Sequence, residues 1–257
     1  MKSKQDTLFV ASLEKGFRIL EAFDEDHPEL GLAELSQKTE LDKSAVQRFS
    51  NTLTKLGYLK KDEITKRYRP TIKTLELANA YLWSDRLTQL AMPKLIDLSK
   101  ILNGTVNMSV LDGTDIIYVV RLPSRRTNFA ATIIGRRVPA LNTSSGRAIL
   151  SVYPKPYREE AIQTWPLKQF TPKTTMDRNV IEQIIETAAV KGYSRSSNEL
   201  IMNEIGFAAP ILASDGQPLA AVQCSVSSFT HDEKLIETKL VPTLMETVAS
   251  LQPGHLG

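Results

Sequence analysis

Across residues 43–56 the apolar side chains Val46, Phe49, Leu53 and Leu56 recur at i, i+3, i+7 and i+10, the spacing of one stripe on an α-helix. A stripe of that kind faces a core. The residues left on the other side, Ser44, Gln47, Arg48, Asn51 and Lys55, all hydrogen-bond or carry positive charge. Asp42 marks the start of the helix as an N-cap and Gly57 its stop. Ahead of it, Leu32, Leu35 and Thr39 repeat at helical spacing from Gly31, and Glu40 and Leu41 leave room only for a sharp corner. Two helices meeting in this way make a helix-turn-helix, whose second helix fits a major groove about 12 Å wide.

After Gly57, residues 58–61 read as a strand, 62–66 as a loop and 67–70 as the returning strand, which makes a two-stranded wing. The basic residues between 43 and 70 are Lys43, Arg48, Lys55, Lys60, Lys61, Lys66, Arg67 and Arg69, against Asp62 and Glu63. Just upstream, Glu21, Asp24, Glu25, Asp26, Glu29 and Glu34 follow one another with no Lys or Arg among them. Charge divided in this way suits phosphate contact on one side of a small domain. Amphipathic periodicity alone also describes a solvated helix hairpin. The wing, the short corner and the charge division favour duplex DNA.

With 257 residues, 42% of them hydrophobic, the chain is long enough for two domains with real cores. Net charge is only +3, so affinity for nucleic acid must come from a local patch. Cys224 is the single cysteine, which excludes an intramolecular disulfide and a cysteine-rich zinc site and fits a reducing cytoplasm. No run of about 18 uncharged apolar residues occurs, so a soluble protein without a membrane partner is expected. His27, His231 and His255 have no metal-ligand spacing, and Cys224 sits in an apolar strand as a buried thiol. Catalysis by the C-terminal half would need a nucleophile with a base, paired carboxylates or a metal cluster, and none is legible. An enzyme or a DNA-independent sensor module is therefore the alternative reading, and no cofactor or metal is called for.

In chain order, Ser12 is a cap for a helix with Leu13, Phe17, Leu20 and Phe23 on its core face, and Pro28 lies in the loop that follows. The helix-turn-helix and wing complete a domain over 9–71. Helical patterns then run through Ile72, Leu75, Ala78 and Leu82, are interrupted or restarted at Pro93, and continue through Leu95, Leu98, Ile101 and Leu102, giving linker helices over 72–102. Over 103–254 the pattern is α+β: strands at 105–111 and 115–122 around Asp112-Gly113, a short extended segment at 128–134, helices at 144–153, 157–164 and 177–191, strands at 207–213 and 218–227, and a last helix at 231–251 capped by Thr230.

Several short motifs, in this order and spacing, resemble the IclR-type transcription regulators over nearly the whole chain. They are Ser12-Leu13-Glu14-Lys15-Gly16, Leu32-Ala33-Glu34-Leu35, Lys43-Ser44-Ala45-Val46-Gln47-Arg48 and Leu56-Gly57-Tyr58 in the first part. In the second part they are Asn142-Thr143-Ser144-Ser145-Gly146-Arg147-Ala148, Lys191-Gly192-Tyr193-Ser194, Ala208-Ala209-Pro210 and Asp215-Gly216. The resemblance implies an N-terminal winged helix-turn-helix, a long linker helix and a C-terminal GAF/PAS-like mixed α/β effector domain with an antiparallel sheet. It further implies a homodimer or homotetramer on a double-stranded operator, controlled by a small organic acid, aromatic acids included. DNA contact then falls to Lys43, Ser44, Gln47, Arg48, Asn51, Lys55, Lys66 and Arg67. Carried over, the effector pocket has walls at Ala130 and Val138, an anion seat at Ser144 and Ser145, a far side at Ser196, Gly206, Gln223 and Ser225, and an added polar contact at Asn107. Ser196 and Gly206 stand where the family pattern can have an acidic residue and a cysteine, which implies a less acidic and locally roomier cavity. The small residues 143–146 read equally as an anion seat at a helix N-terminus or as an N-cap and close-packing device.

Overall fold

A computed structural model of the chain describes residues 8–124 and 133–252, and its contacts divide into two units between Tyr81 and Leu82. In the first unit, α1 (Ala11–Glu21), α2 (Leu32–Thr39) and α3 (Lys43–Lys55) enclose a core of Ile19, Ala22, Leu30, Leu35, Leu41, Val46, Leu53, Leu59 and Tyr68. The wing is β1 (Leu59–Lys61) paired antiparallel with β2 (Tyr68–Pro70), and Leu30 bridges to Tyr68 through reciprocal backbone hydrogen bonds of 3.0 and 2.8 Å. Glu40 makes the corner between α2 and α3 by taking left-handed backbone at φ 56°.

Two local expectations are corrected. The helix α1 begins at Ala11 with Val10 at its N-cap, so Ser12 lies inside it, and it buries Ile19, with Ala22 buried at its C-cap. Leu13 and Phe17 stay 61% and 48% exposed, so the stripe read along Leu13, Phe17 and Leu20 only grazes the core. On α3 the buried set is Val46, Ser50 and Leu53; Leu56, at the C-cap, is 54% exposed.

The helix α4 (Lys73–Ser84) buries none of its residues. The second unit opens with α5 (Arg86–Leu102), capped by Asp85, whose side chain accepts from Thr88 N. Pro93 neither breaks nor restarts this helix. Its stripe of Ala91, Leu95, Leu98 and Leu102 is buried on a sheet, and that packing outweighs the hydrogen bond a proline removes. The residues 86–102 therefore belong to the core of the second unit.

That core is built on an antiparallel sheet in the order β5-β4-β3-β8-β7-β6, from β3 (Thr105–Asp112), β4 (Asp115–Leu122), β5 (Arg137–Pro139), β6 (Ser194–Ser197), β7 (Glu204–Leu212) and β8 (Pro218–Ser227). Because side chains alternate across a strand, Val106, Met108, Phe207, Val222 and Cys224 fall on one face, which packs against α5 and the C-terminal helix. The other face meets α6 (Ser144–Ser151), every residue of which is buried, with α7 (Lys155–Thr164) and α8 (Arg178–Lys191) outside it. The C-terminal helix starts at α9 (Glu233–Leu235), passes through a π-helical turn (Ile236–Leu240) and ends as α10 (Val241–Ala249); its cap is Asp232, which accepts from Leu235 N, and Thr230 stands outside it. The strands β5 and β6 replace loop in the expected layout, and of the extended segment expected at 128–134 residues 128–132 lie outside the described residues while 133 and 134 form no strand.

Candidate nucleic-acid interface and effector cavity

Both ends of α3 are fixed locally. Asp42 accepts from Ala45 N at 2.9 Å, and at the other end Gly57, at φ +82°, donates to Thr54 O while Tyr58 N reaches back to Leu53 O at 2.9 Å. That closing pair satisfies carbonyls the helix would otherwise leave open. Between the caps, Lys43, Ser44, Gln47, Arg48, Asn51 and Lys55 are all exposed, and no side-chain hydrogen bond or ion pair among the described residues ties any of them down. Six side chains able to donate to phosphates or base edges thus share the free surface of one capped helix.

The wing is less uniform. Lys66 is exposed at the loop tip in left-handed backbone (φ 59°), in a loose 3.5 Å pair with Glu63. The loop itself is shaped by Asp62, whose Oδ1 accepts from Ile64 N and Thr65 N. Arg67 turns inward instead: its Nη2 donates to Glu29 O at 2.8 Å and pairs with Glu34 at 2.8 Å. The expected phosphate contact from Arg67 is corrected on this geometry, because its guanidinium joins the wing to α2. One acidic residue of the upstream group, Glu34 in the first turn of α2, is thus engaged in holding the wing.

In the second unit, α6 separates the two readings of its small-residue motif. Thr143 is the N-cap, accepting from Gly146 N at 2.9 Å, and a Cβ on Gly146 would lie 2.2 Å from Ala140 O. Thr143 and Gly146 therefore carry the capping and close-packing roles. Ser144 and Ser145 do neither; their hydroxyls are buried without a hydrogen-bond partner among the described residues.

The face of the sheet opposite the apolar one carries Thr105, Asn107 and Ser109 on β3, Gln223 and Ser225 on β8, Gly206 on β7 and Ser196 on β6, aligned by the register pairs Thr105↔Ser225, Asn107↔Gln223, Gly206↔Ser225 and Ser196↔Gly206. A Cβ on Gly206 would stand 2.9 Å from Ser196 Oγ, 3.1 Å from Gln223 Nε2 and 3.3 Å from Ser144 Oγ, so Ser144, Ser196, Gly206 and Gln223 converge on one point. That convergence corrects the expectation of a roomier cavity at Gly206, since neighbouring polar atoms already crowd the place a side chain would take. The open space lies toward β4. A cavity of about 40 Å³ there is lined by Asn107, Gln223 and Ser225 together with Tyr118, Arg121 and Glu204, three residues the sequence reading did not select. Phe170, Leu200 and Ile201 supply apolar wall.

Val138 is buried beside Ile116 and Ile149 in the core between sheet and α6, and does not line this cavity. Ala130 lies outside the described residues. Burial holds Glu204 above the ordinary carboxylate range despite its hydrogen bond with Ser225, and desolvation lowers Arg121. Desolvation also pushes the Cys224 thiol well up, which leaves it inert. Among the described residues no His, Cys, Asp or Glu cluster is placed to hold a metal, and no helix is long and apolar enough to cross a membrane.

Two family models match the chain: the bacterial transcriptional regulator IclR C-terminal domain over residues 79–252, and the IclR helix-turn-helix domain over residues 12–63. The Pca regulon regulatory protein of Pseudomonas putida is 33% identical over 243 residues, which is 93% of this chain and 82% of the relative. A Rhodococcus sp. RHA1 protein described as a transcriptional regulator superposes with TM-score 0.80 at 29% identity, covering 95% of this chain and 97% of the other. The inducer-binding domain of an Acinetobacter PobR double mutant, solved with 3-hydroxybenzoic acid, matches at 27% identity and TM-score 0.58, covering 63% of this chain and 95% of that one.

Proposed function

The chain belongs to the IclR family of bacterial transcriptional regulators, and on that footing we propose that its affinity for a double-stranded operator is set by a small aromatic acid held in the second unit. The observation that carries the DNA half is the capped α3 with Lys43, Ser44, Gln47, Arg48, Asn51 and Lys55 exposed and, among the described residues, unengaged. Gln47 is suited to adenine and Arg48 to guanine, while Lys43, Lys55 and Lys66 would reach phosphates. The effector half rests on the polar sheet face bordered by Asn107, Ser144, Ser145, Ser196, Gly206, Gln223 and Ser225, where the Asn107 amide oxygen and the Ser144 and Ser145 hydroxyls are buried without partners among the described residues. Native interiors leave few such groups, and a site waiting for a polar ligand is one reason to keep them. The aromatic class is suggested by the acid bound to the PobR domain.

Self-association fits an apolar groove on the first unit. Leu13, Phe17 and Leu56, all about half exposed or more, line it with Leu20, Leu53 and Leu77. Contiguous exposed apolar surface of this kind marks an interface, and a second copy of the chain would cover it and pair two α3 helices for a palindromic site.

Fluorescence anisotropy with a duplex from the region upstream of the protein's own gene tests the reading. Addition of 3-hydroxybenzoate is expected to change operator affinity by about 5-fold to 150-fold, the usual span of allosteric coupling. Equal affinity for the operator and a scrambled duplex, with or without the acid, would overturn it.

A further inference from the structure

Two neighbouring groups in the cavity of the second unit are left with opposite needs. Asn107 donates through Nδ2 to Gln223 Oε1 at 2.6 Å, and Gln223 donates onward through Nε2 to Ser225 Oγ at 2.7 Å. The direction of that chain leaves Asn107 Oδ1 buried without a donor among the described residues. On β4, in register with Asn107, Arg121 lies over the Tyr118 ring with Cζ 3.9 Å from its centroid. Its Nε and Nη1 are buried without an acceptor among the described residues. The amide oxygen wants an O–H or N–H; the guanidinium wants an anion.

We propose that Arg121 and Asn107 are the specificity-determining pair for the effector, Arg121 holding the carboxylate of a hydroxy-substituted aromatic acid and Asn107 Oδ1 accepting its hydroxyl. This deepens the effector reading above and rests on it. Among the described residues the charged groups lining the cavity are Arg121, Arg136 and Glu204, and Glu204 is hydrogen-bonded with Ser225. Ser144, Ser196 and Gln223 crowd around Gly206, and the cavity lies on the Arg121 side. Tyr118 and Phe170 border the cavity with apolar ring surface, the Tyr118 ring being stacked under Arg121. The cavity, about 40 Å³, has room for a few waters, so an aromatic acid binds there only as the lining gives way.

The test is isothermal titration of the full chain with 3-hydroxybenzoate, benzoate and the neutral isostere 3-hydroxybenzamide, with thermal melting to confirm that each variant folds. Wild type should prefer 3-hydroxybenzoate at least about tenfold over each of the others. Arg121→Gln should bring the acid and the amide within about twofold, Arg121→Lys should restore part of the gap, and Asn107→Ala should erase the preference over benzoate. A preference for the acid that survives in Arg121→Gln overturns the proposal, as does a wild type that binds the three alike or not at all. If Ser145→Val instead abolishes acid binding while Arg121→Gln keeps it, the carboxylate sits at α6; the effector reading then stands and the assignment to Arg121 fails.

Discussion

Glu34 serves two partners 3 and 33 residues away. Its Oε2 accepts from Gly31 N at 2.7 Å, closing the N-terminus of α2, and its carboxylate holds Arg67 of the wing. The Gly31 N–H first, and Arg67 second, keep the carboxyl below the ordinary glutamate range. A carboxyl depressed in the folded state contributes stability that is present above its unfolded value of about 4.5 and lost as pH falls through the lowered value. Wild type and Glu34→Gln should therefore differ in melting temperature at pH 6, wild type being the more stable, and converge as pH falls through the lowered carboxyl value; parallel curves would contradict the pairing. Residues of this kind mark the limit of legibility. The outward face of α3 is readable because helical spacing fixes which residues share a side, whereas Arg67 reads as one more basic wing residue until the fold brings Glu34 to it. Arg121 and Glu204 escaped for the same reason, since nothing local separates them from surface charges.

At the scale of elements, α6 is held by more than its cap. Arg147, fully buried, donates from Nη1 and Nη2 to the two carboxylate oxygens of Glu199 at 2.8 and 2.7 Å and from Nε to Leu141 O at 2.7 Å. Glu199 Oε2 also accepts from Thr175 N, so one ion pair ties α6 to two loops, one of which carries the cavity wall residues Leu200 and Ile201. A buried pair is costly to break singly because the partner charge is stranded. Arg147→Met should cost about 3–5 kcal/mol in denaturant unfolding, and Arg147→Met with Glu199→Leu should recover most of it; equal losses in both would show that the pair is not the cause. The long strands β3, β4, β7 and β8 and the helices α6 to α8 were readable from their apolar runs and turn residues. The short strands β5 and β6, Arg137–Pro139 and Ser194–Ser197, were not, because segments as short as Arg-Val-Pro and Ser-Arg-Ser-Ser acquire strand geometry only by pairing with Ile116 and Phe207 neighbours. In β3 and β8 a readable signal was available in the alternation Thr105, Asn107, Ser109 and Gln223, Ser225, a polar period of two within buried strands.

For the molecule as a whole, the sequence pattern placed the end of the DNA-binding part near residue 72, while contacts divide at Tyr81 and Leu82. The difference comes from α4, whose apolar residues Leu75 and Leu77, like Ile72 just before it, are more than half exposed and belong to no core, and from α5, whose stripe packs on the sheet. Composition could not distinguish a helix that buries its apolar face within its own chain from one that leaves it bare. The central claim concerns α3, and the most direct measurement is the affinity of the full chain for its operator, by anisotropy at fixed salt, with Arg48→Ala and Gln47→Ala beside wild type. A good base contact is worth about 1–3 kcal/mol, so each variant should bind about 5-fold to 150-fold more weakly, with unchanged melting temperature. Affinities within about twofold of wild type for both variants would contradict the assignment of this face to DNA.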